Sequence, residues 1–125
     1  SSLVVEGNWL ADSGRSGMEN LLDRRPGLDG VFACNDSMAL GVIHTACCRG
    51  LSIPGDLLLV GFDNTPEAAS YWPPLTSVRQ GLQESGRIAV EELHRLIENK
   101  SSGILPRQHI LQPELVVRRS TMPGN

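Results

Sequence analysis

The sequence predicts a three-layer α/β fold, a parallel sheet flanked by helices. Short apolar runs bounded by turn residues alternate with segments whose apolar residues recur at helical spacing. The runs are continuously apolar, as in parallel strands buried on both faces. The 125 residues, 40% hydrophobic and 20% charged, can build one cored domain and leave little room for two.

In chain order, Leu3-Val4-Val5 reads as a strand ending at Glu6-Gly7. Ala11 to Arg24 has helical spacing, with Met18, Leu21 and Leu22 on one stripe, and Pro26-Gly27 stops it. Ser13-Gly14 and Ser16-Gly17 are small enough to let that helix pack closely. Gly30 to Cys34 is a second strand, and Asp36 is the expected N-cap of a second helix carrying Met38, Ala39, Val42, Ile43 and Ala46. Gly50 is placed as its C′ residue. After a loop over 51–56, Leu57 to Phe62 is the third strand. Asn64 to Pro74 reads as irregular, because Pro73-Pro74 forbids regular pairing. A long helix is expected from Leu82 to Asn99, with Leu82, Ala89, Leu93, Leu96 and Ile97 on one side. Gln108 to Arg119 is an extended run broken by Pro113.

Composition narrows the function. A net charge of −3 gives no general attraction to nucleic acid or anionic membrane. The longest apolar run, Leu57 to Val60, is far too short to span a bilayer, and no basic-then-apolar stretch opens the chain. Cys34, Cys47 and Cys48 make an odd count with no C-x-x-C pair, so three reduced, small apolar side chains in a cytoplasmic protein are expected, with no metal site.

In open parallel sheets, ligands bind where strands end and the next helices begin. That rule selects Glu6-Gly7-Asn8-Trp9, Asn35-Asp36 and Asp63-Asn64. Amides and carboxylates there can bind neighbouring hydroxyls, and an indole face can stack on the C–H face of a sugar ring. Neither a glycine-rich cradle nor a lysine sits at these turns, so phosphate is disfavoured. Each group has a plainer reading: Asp36 as a cap, Asp63-Asn64 as an Asx turn, Trp9 as a surface ring. His44, His94 and His109 lie away from the strand ends, and no G-x-S-x-G or H-E-x-x-H occurs, so neither catalysis nor a cofactor is expected.

Three segments carry a family resemblance. Gly30 to Gly41 resembles an F-x-x-N-D-x-x-A-x-G pattern. Gly50 to Asp56 with Val60 to Asn64 resembles G-L-x-I-P-x-D…V-G-F-D-[ND]. Pro74 to Gln80 resembles P-x-L-T-T-[IV]-x-Q, with Ser77 departing mildly, and Arg119-Ser120-Thr121 closes the set. On these motifs the chain resembles the C-terminal part of the effector-binding core of the lactose/galactose repressor family of bacterial transcription regulators.

The resemblance implies one lobe of a periplasmic-binding-protein-like core, with a sugar-like effector held between two lobes. It places residues 1–77 in the C-terminal lobe and 78–113 in a helix and strand of the N-terminal lobe, with 114–125 as a return strand and tail. It implies ligand contacts at Trp9, Asn35, Asp36, Asp63 and Leu82, the last an aliphatic where the family often has a ring. It also implies a homodimer face at Met38, Val42, Tyr71 and Trp72. Operator DNA would be contacted through a helix-turn-helix domain outside this sequence, under allosteric control by the effector. A periplasmic sugar-binding protein is the rival within the fold. A sugar-metabolising enzyme using Asp36 or Asp63 is the rival outside it, weakened by the lack of an orienting partner.

Overall fold

The computed structural model describes residues 2–122. The chain divides into two compact units, Ser1–Arg79 with Leu115–Asn125, and Gln80–Glu114.

The first unit holds α1 (Ala11–Arg24), β1 (Gly30–Phe32), α2 (Asp36–Cys48), β2 (Leu58–Phe62) and β3 (Thr76–Arg79). β4 (Glu114–Val116) completes a mixed sheet in the order β1-β2-β3-β4. The expected parallel pairing joins β1 to β2 and β2 to β3, with Phe32 opposite Val60 and Phe62 opposite Val78. β3 was not expected from the residues. Thr76 and Val78 alternate in the manner of a strand, but the two prolines just before them masked it.

The core gathers Met18 and Leu22 of α1, Ala39, Val42 and Ala46 of α2, Leu59 of β2, and Leu57, Ala68 and Leu75 from the connections. Each fully buried leucine contributes about 2 kcal/mol by leaving water. The helices approach closely because glycine faces backbone at their contact. A Cβ on Gly14 would collide with the Met38 carbonyl, and one on Gly41 with the Ala11 carbonyl. α2 ends as expected at Gly50, whose φ is 71°; its N–H donates to the Cys47 carbonyl, and that of Leu51 to the Ala46 carbonyl.

Burial of β1 and β2 on both faces is not what the structure shows. Side chains alternate across a sheet, and Phe32 and Leu58 are 57% and 42% exposed on the face opposite Leu59. At the start of β3 the returning chain bridges the two strands. The Thr76 N–H donates to Ser120 Oγ (2.8 Å), and Ser120 Oγ–H donates to the Leu59 carbonyl (2.6 Å).

Leu3-Val4-Val5 forms no strand. Bonds from Leu58 N–H to the Asp29 carbonyl and from Ala33 N–H to the Val60 carbonyl, both 2.9 Å, show which backbone groups of β1 face β2. Those of Gly30 and Phe32 therefore point to the other edge, where no strand pairs among the described residues. Val5, Glu6 and Gly7 instead line a cavity of about 280 Å3 together with Val31, Phe32 and Ala33. High β propensity alone does not make a strand, even beside an unpaired sheet edge.

The second unit is built on α3 (Leu82–Glu98), entered through Gly81 at φ 66°. None of its residues is buried, and Leu82, Val90, Leu93 and Ile97 are exposed. Residues 104–113 form no strand. Their backbone is tied to α3 by side chains: Arg95 Nη2 donates to the Leu105 carbonyl (2.9 Å), and the Arg107 N–H donates to Glu92 Oε1 (2.8 Å). The Arg95 guanidinium and that N–H hold the Glu92 carboxyl down to about 2.

Among the described residues, no helix is long and apolar enough to cross a membrane. The three cysteines are free, but all are exposed rather than packed as small apolar groups.

Candidate functional site

Three turns meet at one end of the sheet. The cap of α2 is Asn35, not Asp36. Asn35 has extended backbone (φ −154°), and its Oδ1 accepts from the Met38 N–H (2.7 Å). Its Nδ2 donates to the Trp9 carbonyl (2.9 Å), which joins the first turn to the second. One N–H and one acceptor position of the Asn35 amide remain for a ligand.

Asp36, expected at the ligand, is fully buried. Its Oδ1 accepts from Ser77 Oγ–H (2.6 Å) and its Oδ2 from the Thr65 N–H (2.7 Å). Gly61 makes room for it, since a Cβ there would press on Asp36 Oδ1 and lie 2.8 Å from Leu75. A group enclosed in this way binds the ends of α2, β2 and β3 together and is out of a ligand's reach.

Asp63 and Asn64 follow β2 with φ of 103° and 52°, and Trp9 has φ 71°. Side chains other than glycine enter this left-handed region at a cost of about 1 kcal/mol each. Three such residues at one end of the sheet mark backbone held in place by its surroundings. Asp63 is half-buried with its N–H bonded to the Val78 carbonyl (2.9 Å). The Trp9 ring is 67% exposed and borders the 280 Å3 cavity beside Glu6, Phe32 and Cys34. The first unit therefore places Asp63, the Asn35 amide and the Trp9 indole at one end of the sheet, residue types that suit a polyhydroxylated ring. Leu82, 64% exposed, opens α3 and belongs to the second unit.

Of the residues expected at a dimer face, Val42 is 4% exposed and packs in the core. Met38 is half-buried against that core, close to Gly7. Tyr71 also packs on the core, where burial and the nearby Asp36 and Glu67 push its phenol up. Trp72 is 88% exposed. It lines an apolar groove of about 610 Å3 with Ile43, Ala46, Cys47, Pro54 and Pro73. On α2 the groove is bordered by the exposed Cys47 and by Ile43, which is partly buried against the core; neither was among the residues expected at a dimer face. α2 is apolar nearly all round, so its periodicity does not tell the inner stripe from the outer one. Among the described residues, no group of three His, Cys, Asp or Glu could hold a metal ion.

Comparison with known proteins gives one answer by three routes. Residues 3–121 match the periplasmic binding protein-like domain family. The HTH-type transcriptional regulator DegA of Bacillus subtilis is 39% identical over 99% of this chain, which spans 36% of that protein. Among solved structures, the transcriptional regulator CelR–cellobiose complex superposes with a TM-score of 0.80 at 35% identity, over 91% of this chain and 34% of that one. A lac repressor dimer bound to operator and an anti-inducer gives 0.83 at 30% identity, over 94% and 35%. The chain thus spans about a third of the length of the relatives it matches.

Proposed function

For a chain that belongs to the periplasmic binding protein-like family, in the form carried by LacI-family transcription regulators, we propose a place in the effector-binding core of a sugar-responsive bacterial repressor. The observation that carries this reading is the Asp63-Asn64 turn, set in left-handed backbone at the end of the sheet that also presents Asn35 and Trp9. The CelR structure was solved with cellobiose, which supports a sugar as the ligand class. The relatives are regulators rather than enzymes, and the described residues offer no nucleophile–base pair at these turns.

In this reading Asp63 and Asn35 hold ligand hydroxyls and Trp9 stacks on the ring. The effector acts through its different affinity for two arrangements of the lobes, and so changes how the dimer presents its DNA-binding domains. The dimer forms through the face around Trp72, with Ile43 and Cys47 beside it. The operator is bound by the helix-turn-helix domain of the longer protein, in the cytoplasm.

The test is a gel-shift titration of the longer regulator with cellobiose and lactose. Asp63→Ala is expected to bind operator as well as the wild type and to stay bound when the sugar is added. Normal release of that variant by the sugar would refute the assignment.

A further inference from the structure

We propose that Arg118, on the chain returning from β4, and Asn64 act as positioning residues that clamp the left-handed Asp63 turn and so fix the carboxyl used for the ligand. The inference rests on the reading of Asp63 as a ligand group, but the clamp itself can be tested without a ligand.

The turn is tied down at three successive amides. Asp63 N–H donates to the Val78 carbonyl (2.9 Å), Asn64 N–H to Ser77 Oγ (3.0 Å), and Thr65 N–H to Asp36 Oδ2 (2.7 Å). Ser77 Oγ–H passes on to Asp36 Oδ1 (2.6 Å), so two of the three anchors converge on one buried carboxyl. These bonds fix where the backbone lies. The side chain of Asn64 adds a lateral hold, since its Oδ1 accepts from Arg118 Nη2 (2.8 Å) while Arg118 Nη1 donates to the Leu75 carbonyl (2.7 Å).

The planar fork of a guanidinium can bridge two acceptors in this way, whereas a lysine ammonium is a single point. Arg118 is itself held, because its N–H donates to Thr76 Oγ1 (2.7 Å), and Ser120, two residues on, joins β2 to β3. Arg118 and Asn64 are 54 positions apart in sequence. The clamp therefore links the tail of the chain to the turn that presents Asp63, and a change in the seating of the tail reaches the ligand site through one side chain.

The test compares Arg118→Met, Asn64→Ala, and Asn64→Asp, which keeps an acceptor oxygen and tolerance for positive φ. In nuclear magnetic resonance spectra of the 125-residue chain, the strong intraresidue HN–Hα cross-peak of a positive φ at Asp63 is expected in the wild type. It should weaken in Arg118→Met and Asn64→Ala and return in Asn64→Asp. A cross-peak unchanged in both of the first two variants would overturn the clamp.

In the longer regulator, the cellobiose concentration for half-release of operator is expected to rise about tenfold in Arg118→Met and Asn64→Ala, the loss of one charge-assisted hydrogen bond. The two changes combined should do no more than either alone, with operator affinity unchanged in the absence of sugar. Additive shifts would also count against the clamp. If the cross-peak changes as expected while sugar release does not move, the clamp stands and the reading of Asp63 as the ligand group falls.

Discussion

Asn35-Asp36 follows β1 and Asp63-Asn64 follows β2, so each places one acid and one amide where an apolar strand ends. At the first turn the acid is sealed inside, bonded to Ser77 and Thr65, while the amide caps α2 and reaches Trp9. At the second, the acid is half-buried on left-handed backbone and the amide is the one held, by Arg118. The fold spends the Asp36 acid on its own construction and uses it to hold the neighbouring acid in place. Residue type and position after a strand are the same at both turns. What separates them is whether the chain folds over the side chain.

Substitutions at the two turns should separate their roles. Asp36→Ala should cost the most, about 3 kcal/mol or more, because it leaves the Thr65 N–H and the Ser77 hydroxyl without their acceptor. Urea unfolding should show the midpoint falling with little change in slope; an unchanged midpoint would mean that Asp36 is not what joins these elements. Gly61→Ala should cost about 2 kcal/mol in the same assay, since its Cβ would sit 2.8 Å from Leu75 and press on Asp36. A neutral result there would show slack around the buried acid.

Asp63→Gly should cost clearly less than Asp36→Ala, because relief of φ 103° offsets part of what the half-buried side chain contributes. If it destabilises as much as Asp36→Ala, the two turns are not different in kind.

The smallest effect is expected at Glu92, a partly buried acid of the second unit. Glu92 is held to about 2 from an ordinary 4.5, first by the Arg95 guanidinium and then by the Arg107 N–H. Its folded-state value lies below the unfolded one, so its stabilisation is complete above about pH 4.5 and is lost as pH falls towards 2. Amide exchange at Arg107 should quicken across that window and not above it. Protection that is flat down to pH 2 would contradict the bond.

Much of the first unit was legible because its signals are local. α1 ends before Pro26-Gly27, α2 ends at Gly50, and the apolar runs of β1 and β2 lie between turn residues. What was not legible depends on partners distant in sequence. Leu3-Val4-Val5 has strand residues yet does not pair with the open edge of β1, whereas Thr76 to Arg79, just after two prolines, pairs with β2. Trp9, Asn35 and Asp63 were selected by a rule about strand ends, and the structure puts them at one end of the sheet. Asp36 satisfied the same rule and is enclosed, because its partners Thr65 and Ser77 come from 29 and 41 residues away. The bonds from Arg118 to Asn64 and Leu75 carry no local signal, since an arginine near a strand end looks like a solvated charge.

In the proposed function Asp63 serves the ligand, whereas Asp36 is enclosed and serves the fold. Calorimetric titration of cellobiose into the longer regulator, with Asp36→Asn and Asp63→Asn side by side, tests it most directly. Asp63→Asn should abolish binding at an unchanged melting temperature, and Asp36→Asn should melt earlier yet still bind. Binding that survives in Asp63→Asn and vanishes in a folded Asp36→Asn would contradict it.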